Sequence, residues 1–175
     1  ILLTKDDLHN RKRYINSRNT IWELLSNGVV PIINENDTVS TSEIKIGDND
    51  NLSALVAAAS ESDILIILSD INGLYDKNPK EHEDALLIRE VHEITEEIER
   101  NCGGSGSKVG TGGMITKIEA AKLCMKFGVE MYIVNGNNLD NISMILDGKG
   151  AGTKFFPEKI SGNRKKMWIA YGLKP

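Results

Sequence analysis

Apolar residues along this chain fall into two alternating spacings. Across residues 10–27, Tyr14, Ile21, Trp22 and Leu25 recur at helical intervals, and Gly28 follows where a left-handed cap ends a helix, which predicts an amphipathic helix. Residues 29–33 then form a short apolar, β-branched run of the kind found in strands buried on both faces of a parallel sheet. The polar cluster Asn34, Glu35, Asn36 and Asp37 ends it abruptly. Leu52, Leu55, Val56 and Ala59 follow at i, i+3, i+4 and i+7, so residues 50–60 read as a second helix with Asp48, Asn49 and Asp50 as N-cap candidates.

The alternation continues. Residues 63–69 read as another buried strand, ended by Ser69, Asp70, Ile71, Asn72 and Gly73. Residues 114–127 predict a helix stopped by Gly128, residues 131–134 a strand, and residues 139–146 a helix before Gly148. Helix and strand in repeated succession predict an α/β fold, a three-layer αβα sandwich around a mainly parallel sheet. In such sheets ligands bind outside the carboxyl ends of the strands, so the polar residues that end 29–33 and 64–68 are expected on one rim. The charged stretch 93–100 has helical spacing and reads as a solvated face.

Composition narrows the field of functions. With 175 residues, 40% hydrophobic and 26% charged, the chain suits one ordinary domain with a core of its own. The net charge of −4 is interspersed, with no basic stripe and few aromatics to track a phosphate backbone, so nucleic acid is not an expected partner. No apolar run is long enough to span a bilayer and the start has no signal-peptide order, so no membrane is expected. Cys102 and Cys124 stand apart, which suggests free thiols and a cytoplasmic protein. The chain opens on Ile1 and an apolar ILL that reads as the second half of a strand, so a preceding segment is expected.

Three segments carry candidate chemistry. In residues 110–117, GTGGMITK, small residues lead straight into a helix whose free N–H groups suit an anion. It is neither a Walker P-loop nor a dinucleotide fingerprint, and a Gly/Ser linker running into an N-cap explains its composition equally well. Lys117 tips the balance, because a cation in the first turn of a helix costs about 0.3–1 kcal/mol unless something negative lies nearby. At 100° per residue Lys117 flanks the stripe of Met114, Ile118, Ala121 and Met125, opposite Glu119, Lys122 and Lys126, and is directed along the sheet rim. The second segment joins Asn34 to Asp37 with Asp48, Asn49, Asp50 and Asn51, a polar density that capping and Asx-turns explain only in part. A calcium loop read from Asp48 would need Gly at Ser53 and Glu at Ala59, whereas Asp and Asn suit the ammonium and carboxylate of an amino acid. The third, residues 69–76, is compatible with a plain turn.

Taken together, GVVPIINENDTVST, EIKIGDNDNLSALVA, SDILIILSDINGLYDKNP and GTGGMITKIEAAK resemble the glutamate 5-kinase branch of the amino acid kinase family, in order and spacing. The resemblance implies that glutamate sits against Asp37 and Asn49, with Asn34, Asp48 and Asp50 around it. It implies that Ser69, Asp70, Thr111, Gly112, Gly113, Met114, Ile115, Thr116 and Lys117 hold ATP. As catalytic residues it names Lys117, on the transferring phosphoryl group, and Asp50, orienting the catalytic lysines, with Mg²⁺ bound through ATP and no metal site of the protein's own. It further implies proline as feedback inhibitor, a homo-oligomer and coupling to glutamyl phosphate reductase.

The same resemblance divides the chain into a kinase domain over residues 1–160 and, over 161–175, a lead toward a PUA domain. The family's first strand, a phosphate-contacting lysine and a glycine/serine stretch have no counterpart here, so these residues alone are expected to be inactive. Two other readings stay open at this level: a kinase of the same fold acting on another acid, and a non-catalytic module that senses glutamate or proline.

Overall fold

The computed structural model describes residues 1–39, 49–102 and 113–158. β1 (Leu2–Leu3) is followed by α1 (Lys5–His9), which Thr4 opens with a capping box closed by Asp7. α2 (Arg11–Ser26) starts at Asn10, whose side chain accepts from the N–H groups of Lys12 and Arg13, and Gly28 leaves it at a φ of 72°. β2 (Asn34–Glu35), α3 (Asn49–Ala59) and β3 (Ile64–Ser69) come next. β4 (Glu90–Val91), α4 (Glu96–Cys102), α5 (Met114–Phe127), β5 (Glu130–Asn135), α6 (Asp140–Leu146) and β6 (Thr153–Phe155) complete the described elements.

β1 and β2 pair in parallel, and a second sheet has the order β3-β5-β6-β4. Within it β3 and β5 are parallel from Ile64↔Glu130 to Ser69↔Asn135, β4 and β6 are parallel, and β5 meets β6 antiparallel. Alternation along β5 sorts its side chains into two layers. Met131 and Ile133 join Ile67, Phe155 and the apolar faces of α3 and α5, while Tyr132 and Val134 join Ile64, Ile66 and Ile145 of α6. Helices therefore cover both faces, giving the three-layer sandwich expected from the sequence.

Some sequence expectations do not survive. Residues 29–33 are not a doubly buried strand: Val30 and Ile32 are 82% and 84% exposed, and pairing starts only at Asn34. Pro31 is the physical reason, since it has no N–H to donate to a ladder and belongs at sheet margins. Residues 63–69 do form a strand, yet it is only partly buried and Leu68 is exposed, because β3 is the outer strand of its sheet among the described residues. On α2, Tyr14 and Ile21 are buried as expected, but Trp22 and Leu25 are exposed. The stretch 93–100 contains most of α4, which buries none of its residues completely. The lead over 161–175 lies outside the described residues.

β6 owes its place to one buried hydroxyl and two glycines. Thr153 accepts a hydrogen bond from the Leu74 N–H at 2.8 Å and donates to the Ile88 carbonyl at 2.6 Å, tying the excursion between β3 and β4 onto the sheet. A Cβ on Gly73 would lie 2.5 Å from Thr153 Oγ1, and one on Gly152, at a φ of 61°, would lie 2.0 Å from the Ile133 carbonyl oxygen. Gly148 has a similar φ of 72° but open space around it. Gly152→Ala is therefore expected to destabilise by about 2–5 kcal/mol in urea unfolding, through backbone strain plus overpacking. Gly148→Ala, with strain alone, should cost about 1–2 kcal/mol.

Candidate active site at the facing starts of two helices

α3 and α5 precede the parallel strands β3 and β5, so both helices begin at the rim where those strands end. They pack against each other, and their first turns meet. Asp50, in the first turn of α3, accepts at one oxygen, Oδ2, from Lys117 Nζ at 3.2 Å and from Thr116 Oγ1 at 2.6 Å. Next to Asp50, Asn51 donates to Glu119 at 3.2 Å, and the Ser53 hydroxyl donates back to the Asp50 carbonyl. The Lys117 and Asp50 side chains are 15% and 18% exposed, so this is a partly desolvated ion pair.

The electrostatics favour the pair from both sides. Asp50 lies in the positive field at the start of α3, which stabilises a carboxylate, whereas Lys117 lies in the same kind of field at the start of α5, which opposes an ammonium. Asp50 supplies the negative neighbour that Lys117 requires. α5 begins at Gly113, which has no side chain to cap with, so the protein's own N-cap residue leaves the first N–H groups to other acceptors. The flank predicted for Lys117 is also seen: Ile118, Ala121 and Met125 are buried, and Glu119, Lys122 and Lys126 are exposed.

The other residues named from the sequence are placed less tightly. Ser69 ends β3 and donates to the Asp70 carboxylate at 3.2 Å on the same rim. Met114 is half-buried and Ile115 exposed on α5. Asn34 is exposed on β2, with its N–H given to the Ile1 carbonyl, and Asp37 is exposed just beyond that strand, which packs against α3. Asn49 is exposed at the start of α3. Asp48, Thr111 and Gly112 lie outside the described residues.

One rim residue escaped the sequence reading. Asn135 ends β5 beside Ser69, donates to Asn72 at 2.9 Å, and accepts from the N–H of Asn137 and, at its carbonyl, from Asn141. The run Asn135, Gly136, Asn137, Asn138 carries the same signal as the other strand ends, a polar cluster stopping an apolar strand. The cysteines take no part in this chemistry: both are free, and burial pushes the Cys124 thiol up to about 12 and that of Cys102 to about 11. Among the described residues no three His, Cys, Asp or Glu side chains group as metal ligands, and no helix is long and apolar enough to cross a membrane.

The model of the amino acid kinase family matches residues 1–135. The chain belongs to the amino acid kinase family. Among amino acid kinase relatives it is 54% identical, over its whole length, to the glutamate 5-kinase of Geobacter sulfurreducens and covers 47% of that protein. It is 52% identical to the glutamate 5-kinase of a Thermoanaerobacter species over 99% of its length, covering 47% of that relative. The chain thus spans about half the length of the curated relatives it matches. Solved structures agree on the fold: a UMP kinase from Bacillus anthracis aligns with a TM-score of 0.57 at 16% identity, covering 79% of this chain and 50% of that one. An isopentenyl phosphate kinase substrate complex aligns at 0.54 and 23% identity, covering 78% and 52%.

Two outcomes are expected, one for the ion pair and one for the thiols apart from it. Asp50→Asn leaves the Lys117 ammonium facing two positive helix ends, whereas Lys117→Met leaves Asp50 in a favourable field with Thr116 still bonded. Asp50→Asn should therefore cost more, by about 1–3 kcal/mol in urea unfolding. The thiols should stay silent toward a disulfide reagent at pH 8 in the folded protein and both react once it is denatured.

Proposed function

We propose that the full-length protein transfers the γ-phosphate of ATP to the side-chain carboxylate of L-glutamate, giving glutamyl 5-phosphate for proline biosynthesis. The observation that carries this reading is the Asp50–Lys117 pair at the facing helix starts, in a chain more than half identical along its length to proteins named glutamate 5-kinase. Phosphoryl transfer asks a protein mainly for positioning and for positive charge where negative charge develops. Lys117 supplies that charge at the rim, and the N–H groups of Gly113, Met114 and Ile115 at the start of α5 supply a second anion-binding element.

In this reading the nucleotide lies along the rim from Ser69 and Asp70 to α5, with Thr111 and Gly112 extending the cradle. Glutamate meets Asp37, Asn49, Asn34 and Asp48, and Asp50 orients Lys117. Mg²⁺ comes with the ATP oxygens and neutralises part of their charge. Until the phosphates arrive, Asp50 holds the Lys117 ammonium; as they arrive, the same ammonium is within reach of a stronger anion and is shared with it. The free thiols suit a cytoplasmic protein. Feedback by proline, a homo-oligomeric assembly and delivery of the product to glutamyl phosphate reductase belong to the same proposal.

A coupled ADP-release assay on the full-length protein tests it. ADP should form with glutamate and Mg-ATP, and not with aspartate or acetylglutamate in place of glutamate. Lys117→Ala should lower kcat by about 10²-fold or more. Release of ADP with another acid, or glutamate binding without turnover, would contradict the proposal.

A further inference from the structure

Thr116 lies inside the segment expected to hold the nucleotide, yet its side chain is turned to the neighbouring helix. Its hydroxyl has one proton and, among the described residues, two acceptors in range, the Asp50 carboxylate at 2.6 Å and the Gly113 carbonyl at 3.0 Å. The shorter contact, to the charged oxygen, is the stronger one. Both Thr116 and Lys117 thus hold the same oxygen of Asp50, from consecutive positions in the first turn of α5. They differ in one respect: the ammonium carries a net charge that an arriving phosphate draws, whereas the hydroxyl is neutral and has its single proton on Asp50.

We propose that Thr116 is a positioning residue that holds the Asp50 carboxylate in place while Lys117 is handed from Asp50 to the transferring phosphoryl group; this rests on the kinase reading above. Without it, Asp50 has only Lys117 to fix it among the described residues, and a carboxylate that follows its ammonium draws that charge back from the phosphate. Held by Thr116, Asp50 stays where it is and sets the distance Lys117 can move. Thr116 reaches the reaction through Asp50.

Steady-state kinetics of the full-length protein, with glutamate and Mg-ATP, separate this role from nucleotide binding. Thr116→Val, which removes the donor, should lower kcat about 10- to 100-fold. The same change should alter the KM for ATP by less than about twofold, because ground-state binding is untouched. Thr116→Ser, which keeps the hydroxyl, should restore most of kcat. In an Asp50→Ala background, Thr116→Val should have no further effect on kcat. A raised KM for ATP with kcat kept, or a full additional loss in the Asp50→Ala background, would overturn the assignment. If the wild-type protein turns over no glutamate, the kinase reading fails by itself, and a crystal structure of Thr116→Val then decides the positioning role. A displaced Asp50 carboxylate supports that role, and an unmoved one overturns it.

Discussion

An ammonium in the first turn of a helix stands in a repulsive field, and in this chain a carboxylate in the first turn of another helix keeps it there. That constraint organises the site. Asp50 can reach Lys117 only because α3 and α5 lie side by side and start at the same rim, and they do so because each leads into one of two strands paired in parallel and in register. Burial of Met131 and Ile133 with Ile67, Ile118 and Ala121 holds the helices on the sheet, so apolar packing sets the spacing at which the charges meet. A slip of one residue in β3 against β5 would exchange the two faces of the strand and part the helix starts with it.

The pair also explains why the proposed anion site is compatible with a stable resting structure. Lys117 is mostly buried, and leaving it without a counter-charge would be costly. Asp50 acts as its resting partner, in the positive field at the start of α3 that favours a carboxylate. Ser69, Asp70 and Asn135 complete the polar rim around the two helix starts. Their strand-end positions are dictated by topology, in which every parallel strand delivers its carboxyl end to the same side.

Much of this was legible in the sequence, for identifiable reasons. α3, α5 and α6 have apolar residues at helical spacing, with glycines past the ends of α5 and α6, so local pattern and tertiary packing agree. β3 and β5 announce themselves as apolar runs stopped by polar residues. What failed was burial, which is not a local property: residues 29–33 look like a core strand by hydropathy, yet Pro31 has no N–H to offer a ladder, and Val30 and Ile32 stay exposed. β4 and β6 are too short to show a pattern, and exist because Thr153 and Gly152 let distant segments close on one another. In the site, Lys117 could be singled out by its position against the helix dipole. The hydroxyl of Thr116 on Asp50 could not, because the two residues are 66 apart in sequence and meet only through the register of their two helices.

The central claim is that Lys117 passes from Asp50 to the phosphoryl group while Asp50 stays fixed. A crystal structure of the full-length protein with glutamate, ADP, Mg²⁺ and a planar phosphoryl mimic tests it most directly. The account predicts Lys117 Nζ within hydrogen-bond distance of the mimic and the Asp50 carboxylate still on Thr116. An ammonium still paired with Asp50 and remote from the mimic would contradict it.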